Sequence, residues 1–197
     1  MSRVDIVTVF HNDTNFRQHQ ELLESIRQHE PDGGYRVIAI DNRRNNRGFA
    51  VACNLGASDV GATAAVIGFI NPDATVHGPF IDAVTGTIDE RVVITGCRFG
   101  KPDRELRIWG VRDWVCGAAM FVSRHWFTTV GGFDTQFVWS HEELDLIRRA
   151  ESQGLVCQSI DLPIQHRSPD VDTPEDAAYK QHHFQQAALR YQRKWKT

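Results

Sequence analysis

Ala64-Ala65-Val66-Ile67-Gly68-Phe69-Ile70-Asn71-Pro72-Asp73-Ala74 is the stretch on which the fold turns. Its apolar, partly β-branched run is long enough for a strand buried on both faces, and it stops at Pro72, which lacks the amide donor that a central strand needs. The run therefore delivers a carboxylate, Asp73, to its own carboxyl end. In an open α/β sheet ligands bind in the crevice beyond the carboxyl ends of the strands, so Asp73 stands where a metal or a phosphorylated ligand is expected. Asn-Pro-Asp is also an ordinary turn, and the neighbouring segments decide between the two readings.

Upstream, Val4-Asp5-Ile6-Val7-Thr8-Val9-Phe10 reads as a first strand ending in His11-Asn12-Asp13. Residues 15–28 carry Phe16, Leu22, Leu23 and Ile26 at near-helical spacing and stop before Pro31-Asp32-Gly33-Gly34. Residues 35–40 read as a second strand ending in Asp41-Asn42, followed by a loop over 43–48 and a short helix over 49–56. Three strands thus end in polar groups, the pattern of a doubly wound nucleotide-binding sheet.

Downstream, a short helix is expected from Pro79 to about Thr87. Residues 91–99 and 109–122 are strand-like, with an exposed hairpin or mobile loop over 100–105. Ser123 can cap a helix reaching Val130, ended by Gly131-Gly132. A helix starting at His141-Glu142-Glu143-Leu144-Asp145 closes at Gly154, residues 155–160 form a strand, and His166 follows just beyond. Thr173-Pro174-Glu175-Asp176 opens a final helix running to about Trp195.

The composition narrows the function classes. A chain of 197 residues, 41% hydrophobic and 24% charged, is sized for one domain with one core, and a net charge of -3 gives no bulk reason to bind nucleic acid. Cys53, Cys97, Cys116 and Cys157 show no zinc or redox spacing, so reduced thiols and a cytoplasmic location are expected. No signal peptide is read at the start and no membrane span in the apolar region 51–70. There is no Gly-x-x-x-x-Gly-Lys-[Ser/Thr], no Gly-x-Gly-x-x-Gly after the first strand and no Gly-x-Ser-x-Gly, which removes most support for P-loop, dehydrogenase and serine-hydrolase readings.

Glu142, Glu143 and Asp145 are explained in part by the preference of carboxylates for a first helical turn. They also suit a general base with a second acid that orients it or binds acceptor hydroxyls. His166, with Asp73 and two phosphate oxygens, would make part of an octahedral metal shell.

In order along the chain stand Asp41-Asn42, Asn46-Arg47-Gly48-Phe49-Ala50-Val51-Ala52-Cys53-Asn54-Leu55-Gly56, Ile70-Asn71-Pro72-Asp73-Ala74, Gly117-Ala118-Ala119-Met120 and Val130-Gly131-Gly132-Phe133-Asp134. Glu142-Glu143-Leu144-Asp145-Leu146, Arg148 or Arg149, and His166 follow. Together these blocks, spanning about residues 4–166, resemble the rhamnosyltransferase-like branch of glycosyltransferase family two. The resemblance implies an α/β GT-A domain over 1–197, with a Rossmann-like, mostly parallel sheet flanked by helices and a small antiparallel acceptor-side portion. Residues 1–90 would be the nucleotide-binding half, 91–170 the acceptor and catalytic half, and 173–197 a C-terminal helix.

The resemblance further implies inverting transfer of a hexose-type sugar from a nucleoside-diphosphate donor, UDP- or dTDP-linked, to a hydroxyl of a glycan, lipid-linked, small-molecule or protein acceptor. Asp73 and His166 would hold Mg²⁺ or Mn²⁺. Asp41 would contact the base, with His11, Asn12, Asn42, Asn46, Gly48, Asn54 and Asn71 along the donor. Glu143 matches the base, one methylene longer than the family's Asp, which leaves Glu142 as the alternative. Gly117, Asp134 and Asp145 fall on the acceptor side. Asn71 replaces the first acid of the family's Asp-x-Asp, and a neutral amide there should weaken metal binding. Arg43, Arg44 and Arg47 are this chain's own and could meet diphosphate or only solvent. The alternatives are a non-catalytic sugar-nucleotide or glycan-binding domain and a sugar nucleotidyltransferase. The basic, aromatic end of the last helix, Leu189 to Lys196, is either packed against the core or a peripheral membrane contact.

Overall fold

The structure, a computed structural model, describes residues 3–59, 64–99, 109–167 and 174–196. In chain order the elements are β1 (Val4–Phe10), α1 (Asp13–His29), β2 (Tyr35–Asp41), α2 (Phe49–Ser58), β3 (Val66–Ile70), β4 (Ala74–Val76) and α3 (Ile81–Thr87). They continue with β5 (Val92–Gly96), β6 (Ala119–Ser123), α4 (Arg124–Thr129), α5 (Glu142–Ser152), β7 (Val156–Ser159), β8 (Ile164–His166) and α6 (Pro174–Trp195).

A six-stranded sheet has the order β2-β1-β3-β6-β5-β7. The two most buried strands take its centre: every residue of β1 and of β3 is buried. β1 pairs in parallel with both β2 and β3, β5 pairs in parallel with β7, and β6 runs antiparallel to β3 and β5. Side chains alternate along β1, so Val7 and Val9 enter one core with Phe69, Leu146 and Ile147, while Val4 and Ile6 enter another with Leu22, Ile26 and Phe121. One charge interrupts β1: Asp5, fully buried, is met across the register by Arg36 at 3.1 Å.

Helix packing is set by small residues and caps. Asn12 caps α1 by accepting from the Asn15 amide at 2.8 Å. A Cβ on Gly56 would stand 2.4 Å from Val7 Cγ1, so α2 lies on β1 at a distance that glycine permits.

Two segments differ from the sequence reading, and a third lies outside the described residues. The strand expected over 109–122 is confined to Ala119–Ser123, because the chain turns at Cys116, whose carbonyl accepts from the Ala119 amide at 3.1 Å. Val111, Trp114 and Val115 are buried in the loop before that turn and gave it a strand-like composition. The hairpin expected over 100–105 lies outside the described residues. A pair of short strands was not foreseen: β4 and β8 form a separate antiparallel sheet with Ala74 opposite His166. His166 is therefore the last residue of a strand rather than a residue beyond one.

His19 on α1 is buried, stacked on Phe10 at 5.3 Å, and its Nδ1 has no hydrogen-bond partner among the described residues. Burial lowers its pKa below the usual 6.5. Below that pH the unfolded chain binds the proton more readily than the folded one. The denaturation midpoint should accordingly fall as pH drops through about 6.5, and a His19→Gln variant should flatten that dependence in urea titrations between pH 5 and pH 8.

Candidate active site

The amide of Asn71 donates to the Ala118 carbonyl at 2.9 Å and its carbonyl accepts from Ala74 at 3.1 Å, so the chain turns sharply where β3 ends. β4 then pairs with β8, which brings His166 Nε2 to 3.1 Å from Asp73 Oδ2. Beyond that contact, Nε2 has no hydrogen-bond partner among the described residues. A carboxylate and an imidazole that converge in this way suit a divalent cation with oxygen and nitrogen donors. Among the described residues no group of three or more His, Cys, Asp or Glu forms a metal site, so phosphate oxygens and water would have to complete the shell.

His166 opens onto a cleft of ≈ 180 Å³ at the carboxyl end of β3. Asn71, Gly117, Glu142, Glu143 and His166 all line it, which gathers five of the expected residues in one place. Phe49, Cys116, Ala118, Trp139 and Ser140 complete the wall and were not singled out from the sequence. The available signal was adjacency: Trp139 and Ser140 lead directly into the acidic helix, and Cys116 precedes Gly117. His11, at the end of β1, lies edge-on to Trp139 at 6.3 Å.

A backbone bend aims the two glutamates. Ser140 and His141 both have φ of 69°, a left-handed conformation that non-glycine residues rarely adopt in succession. The His141 ring is clamped by Trp109 at 4.5 Å, Phe184 at 5.1 Å and Tyr191 at 5.8 Å. Glu142 follows, 6% exposed, with Oε2 unbonded among the described residues. Burial first, and the charge of Glu143 second, push its pKa well above the ordinary carboxyl range. The pair thus favours one proton held on Glu142.

Several expected site residues are committed elsewhere. Asp145 is fully buried and accepts from Arg149 Nε at 3.0 Å and Trp195 Nε1 at 3.0 Å, with Lys194 Nζ at 2.7 Å. Asp134 also meets Lys194, at 2.8 Å; burial raises its pKa, but that contact, the Gln136 amide and the charges of Lys194 and Arg149 bring it below the usual value. These two acids anchor α6 through Lys194 and Trp195. Asn54 holds the backbone of Phe133 with both amide atoms at 2.9 Å, and Asn12 is spent on the α1 cap. Asn42 bonds Asn46 at 3.1 Å and the Arg47 amide at 3.2 Å, which shapes the loop before Gly48. Gly48 has φ of 81° and passes so close to Val138 that a Cβ would stand 3.0 Å from its carbonyl oxygen. Asp41 is exposed and gripped by Arg43.

One face of the end of α6 is packed: Tyr191 is fully buried and donates to the Trp109 carbonyl at 2.7 Å, and Lys194 and Trp195 are used on Asp145, while Leu189 on the other face is exposed. Among the described residues no helix is long and apolar enough to cross a membrane. All four cysteines are free thiols.

No protein-family model matches the chain, and no curated sequence does. Solved structures match over nearly the whole length. A mannosyltransferase from Pyrobaculum calidifontis, in complex with GDP-Man and Mn²⁺, superposes with a TM-score of 0.69 over 98% of this chain at 16% identity. The chain has the GT-A fold. It spans 63% of that mannosyltransferase's length. The catalytic domain of Drosophila β1,4-galactosyltransferase 7, in complex with xylobiose, gives 0.60 at 14% identity over 88% of this chain and 76% of its own. The galactosyltransferase LgtC, with donor and acceptor sugar analogues, gives 0.54 at 9% identity over 94% and 95%.

Two carboxylates on α5 should respond oppositely to removal. Asp145→Ala leaves Lys194 and Arg149 unpaired and should cost about 3–5 kcal/mol in chemical denaturation. Glu142, whose pKa is raised on folding, loses stability as pH climbs above 4.5 toward its folded value. Glu142→Gln should therefore melt higher than the parent at pH 8, by a margin that shrinks toward pH 5.

Proposed function

We propose that the protein is an inverting glycosyltransferase that moves a hexose-type sugar from a nucleoside-diphosphate donor to an acceptor hydroxyl by single in-line displacement. The observation that carries this reading is the meeting of Asn71, His166, Glu142 and Glu143 in one cleft at the carboxyl end of β3, with Asp73 3.1 Å from His166. The order of sequence blocks favours the rhamnosyltransferase-like branch of family two. The GT-A fold adds support, since the similar structures include complexes with GDP-Man and Mn²⁺ and with manganese, UDP-Gal and xylobiose.

In this reading Glu143 takes the proton of the acceptor hydroxyl while its oxygen attacks the anomeric carbon from the face opposite the diphosphate. Glu142, protonated, keeps the charge of the pair at one and can donate a hydrogen bond toward Glu143 or the acceptor. Asp73 and His166 would hold Mg²⁺ or Mn²⁺, which when bound supplies Lewis-acid stabilisation to the departing diphosphate. Asn71 contributes hydrogen bonds and no charge, to a ribose hydroxyl or to water. The clamped His141 bend keeps both glutamates aimed into the cleft.

A non-catalytic binding domain is the second reading, and Asn71 in place of an acid is what favours it. A sugar nucleotidyltransferase would use a glycine-rich basic loop after β1, whereas here only His11 and Asn12 separate β1 from α1. Transfer and donor hydrolysis across a panel of nucleotide sugars decide the matter. Glu143→Gln should lower kcat by about 10²–10⁴-fold, and Asp73→Ala should abolish metal-stimulated turnover. Unchanged turnover in both variants would refute the assignment, and binding without turnover for every pair would favour the second reading.

A further inference from the structure

β1 and β2 end side by side, with Phe10 opposite Asp41. The loop after β2 folds straight back on that end. Arg43 gives its backbone amide and Nε to Asp41 Oδ1, both at 3.0 Å, its Nη2 to Asp41 Oδ2 at 2.6 Å, and its Nη1 to Asp13 Oδ1 at 2.8 Å. The guanidinium carbon lies 5.4 Å from the centre of the Phe10 ring and 4.8 Å from that of Phe16. An arginine fixed by two carboxylates and two rings is preorganised, whereas exposed ion pairs contribute little to folding.

The grip changes what this corner can recognise. Asp41 is held ionised, its pKa drawn down to about 2 by the Arg43 side chain and amide, and both its oxygens are engaged. With three of its roughly four acceptor sites filled by Arg43, it is a poorer acceptor for the imide N–H of a pyrimidine than a free carboxylate. Arg43 has five N–H donors, of which three go to Asp41 and Asp13 among the described residues. What it presents to a ligand is donor-only and planar.

The position is right for a base. β1 alone separates β2 from β3, and neighbouring strands lie about 4.8 Å apart, so the ends of β2 and β3 are roughly 10 Å apart. Ligands of open α/β sheets lie along the crevice beyond the carboxyl ends of the strands, so a nucleotide with its diphosphate at Asp73 has the end of β2 two strands along that crevice. We infer that Arg43, and not Asp41, reads the donor's nucleobase and that it selects guanine. Guanine offers O6 and N7 as adjacent acceptors for two N–H groups of one guanidinium. Uracil and thymine place their two carbonyls on either side of an N–H and offer no such pair. The inference rests on the proposed nucleotide-sugar donor.

Titration calorimetry of the intact protein with GDP, UDP and dTDP in the presence of Mn²⁺ tests it. The parent should bind GDP at least about 10-fold more tightly than UDP or dTDP. Arg43→Ala should erase the preference, and Arg43→Lys, which keeps the charge but loses the planar fork, should erase it too. Tighter binding of UDP or dTDP by the parent, or a guanine preference that survives in Arg43→Ala, would overturn the inference. Failure of all three nucleotides to bind would instead overturn the donor reading on which it stands.

Discussion

Pro72 has no amide hydrogen, and much of the cleft depends on that absence. β3 is buried on every residue and would continue if its backbone could; instead it stops, the chain turns on the Asn71 carbonyl, and β4 leaves to pair with β8. This detour places Asp73 and His166 within 3.1 Å of each other although they are distant in sequence. It also fixes Asn71 against Ala118, which sets Gly117 facing the two glutamates. The small β4–β8 sheet is thus a positioning device for one side of the cleft.

The other side is held by α6. Asp145 and Asp134 take Lys194, Trp195 fills in beside them, and Tyr191 and Phe184 clamp the His141 ring at the bend before Glu142. The acids of α5 therefore divide by environment. Asp145 is buried with three donors and stabilises the fold, whereas Glu142 is buried with an unbonded oxygen and a raised pKa. A carboxyl kept in such surroundings is a cost to folding, and the proposed proton-transfer role would account for it.

Much of the fold was legible in the sequence. The strands over 4–10, 35–41 and 66–70 are mostly apolar runs followed by polar residues, and the first helix between them carries a cap and apolar spacing. β4 and β8 were not legible, because three residues are too short to show a period and their pairing is set by contacts distant in sequence. β6 was overextended because Trp114 and Val115 are apolar through burial in a loop. Within the site, residue type was readable and direction was not. Asp145, Asp134 and Asn54 have the chemistry of ligands, yet their side chains point into packing contacts that only the tertiary structure creates. Arg43 stands two residues from Asp41 in plain view, and only its seat on Phe10 and Phe16 shows that it takes the carboxylate for itself.

We propose that Asp73 and His166 converge on a divalent cation that also holds the donor's diphosphate. Pulsed electron paramagnetic resonance of Mn²⁺ with the protein and a nucleoside diphosphate tests it most directly. The account predicts nitrogen modulation from an imidazole ligand together with phosphorus couplings, the former lost in His166→Asn and binding itself weakened in Asp73→Ala. Mn²⁺ bound with phosphorus couplings but no imidazole nitrogen, or spectra unchanged in both variants, would contradict it.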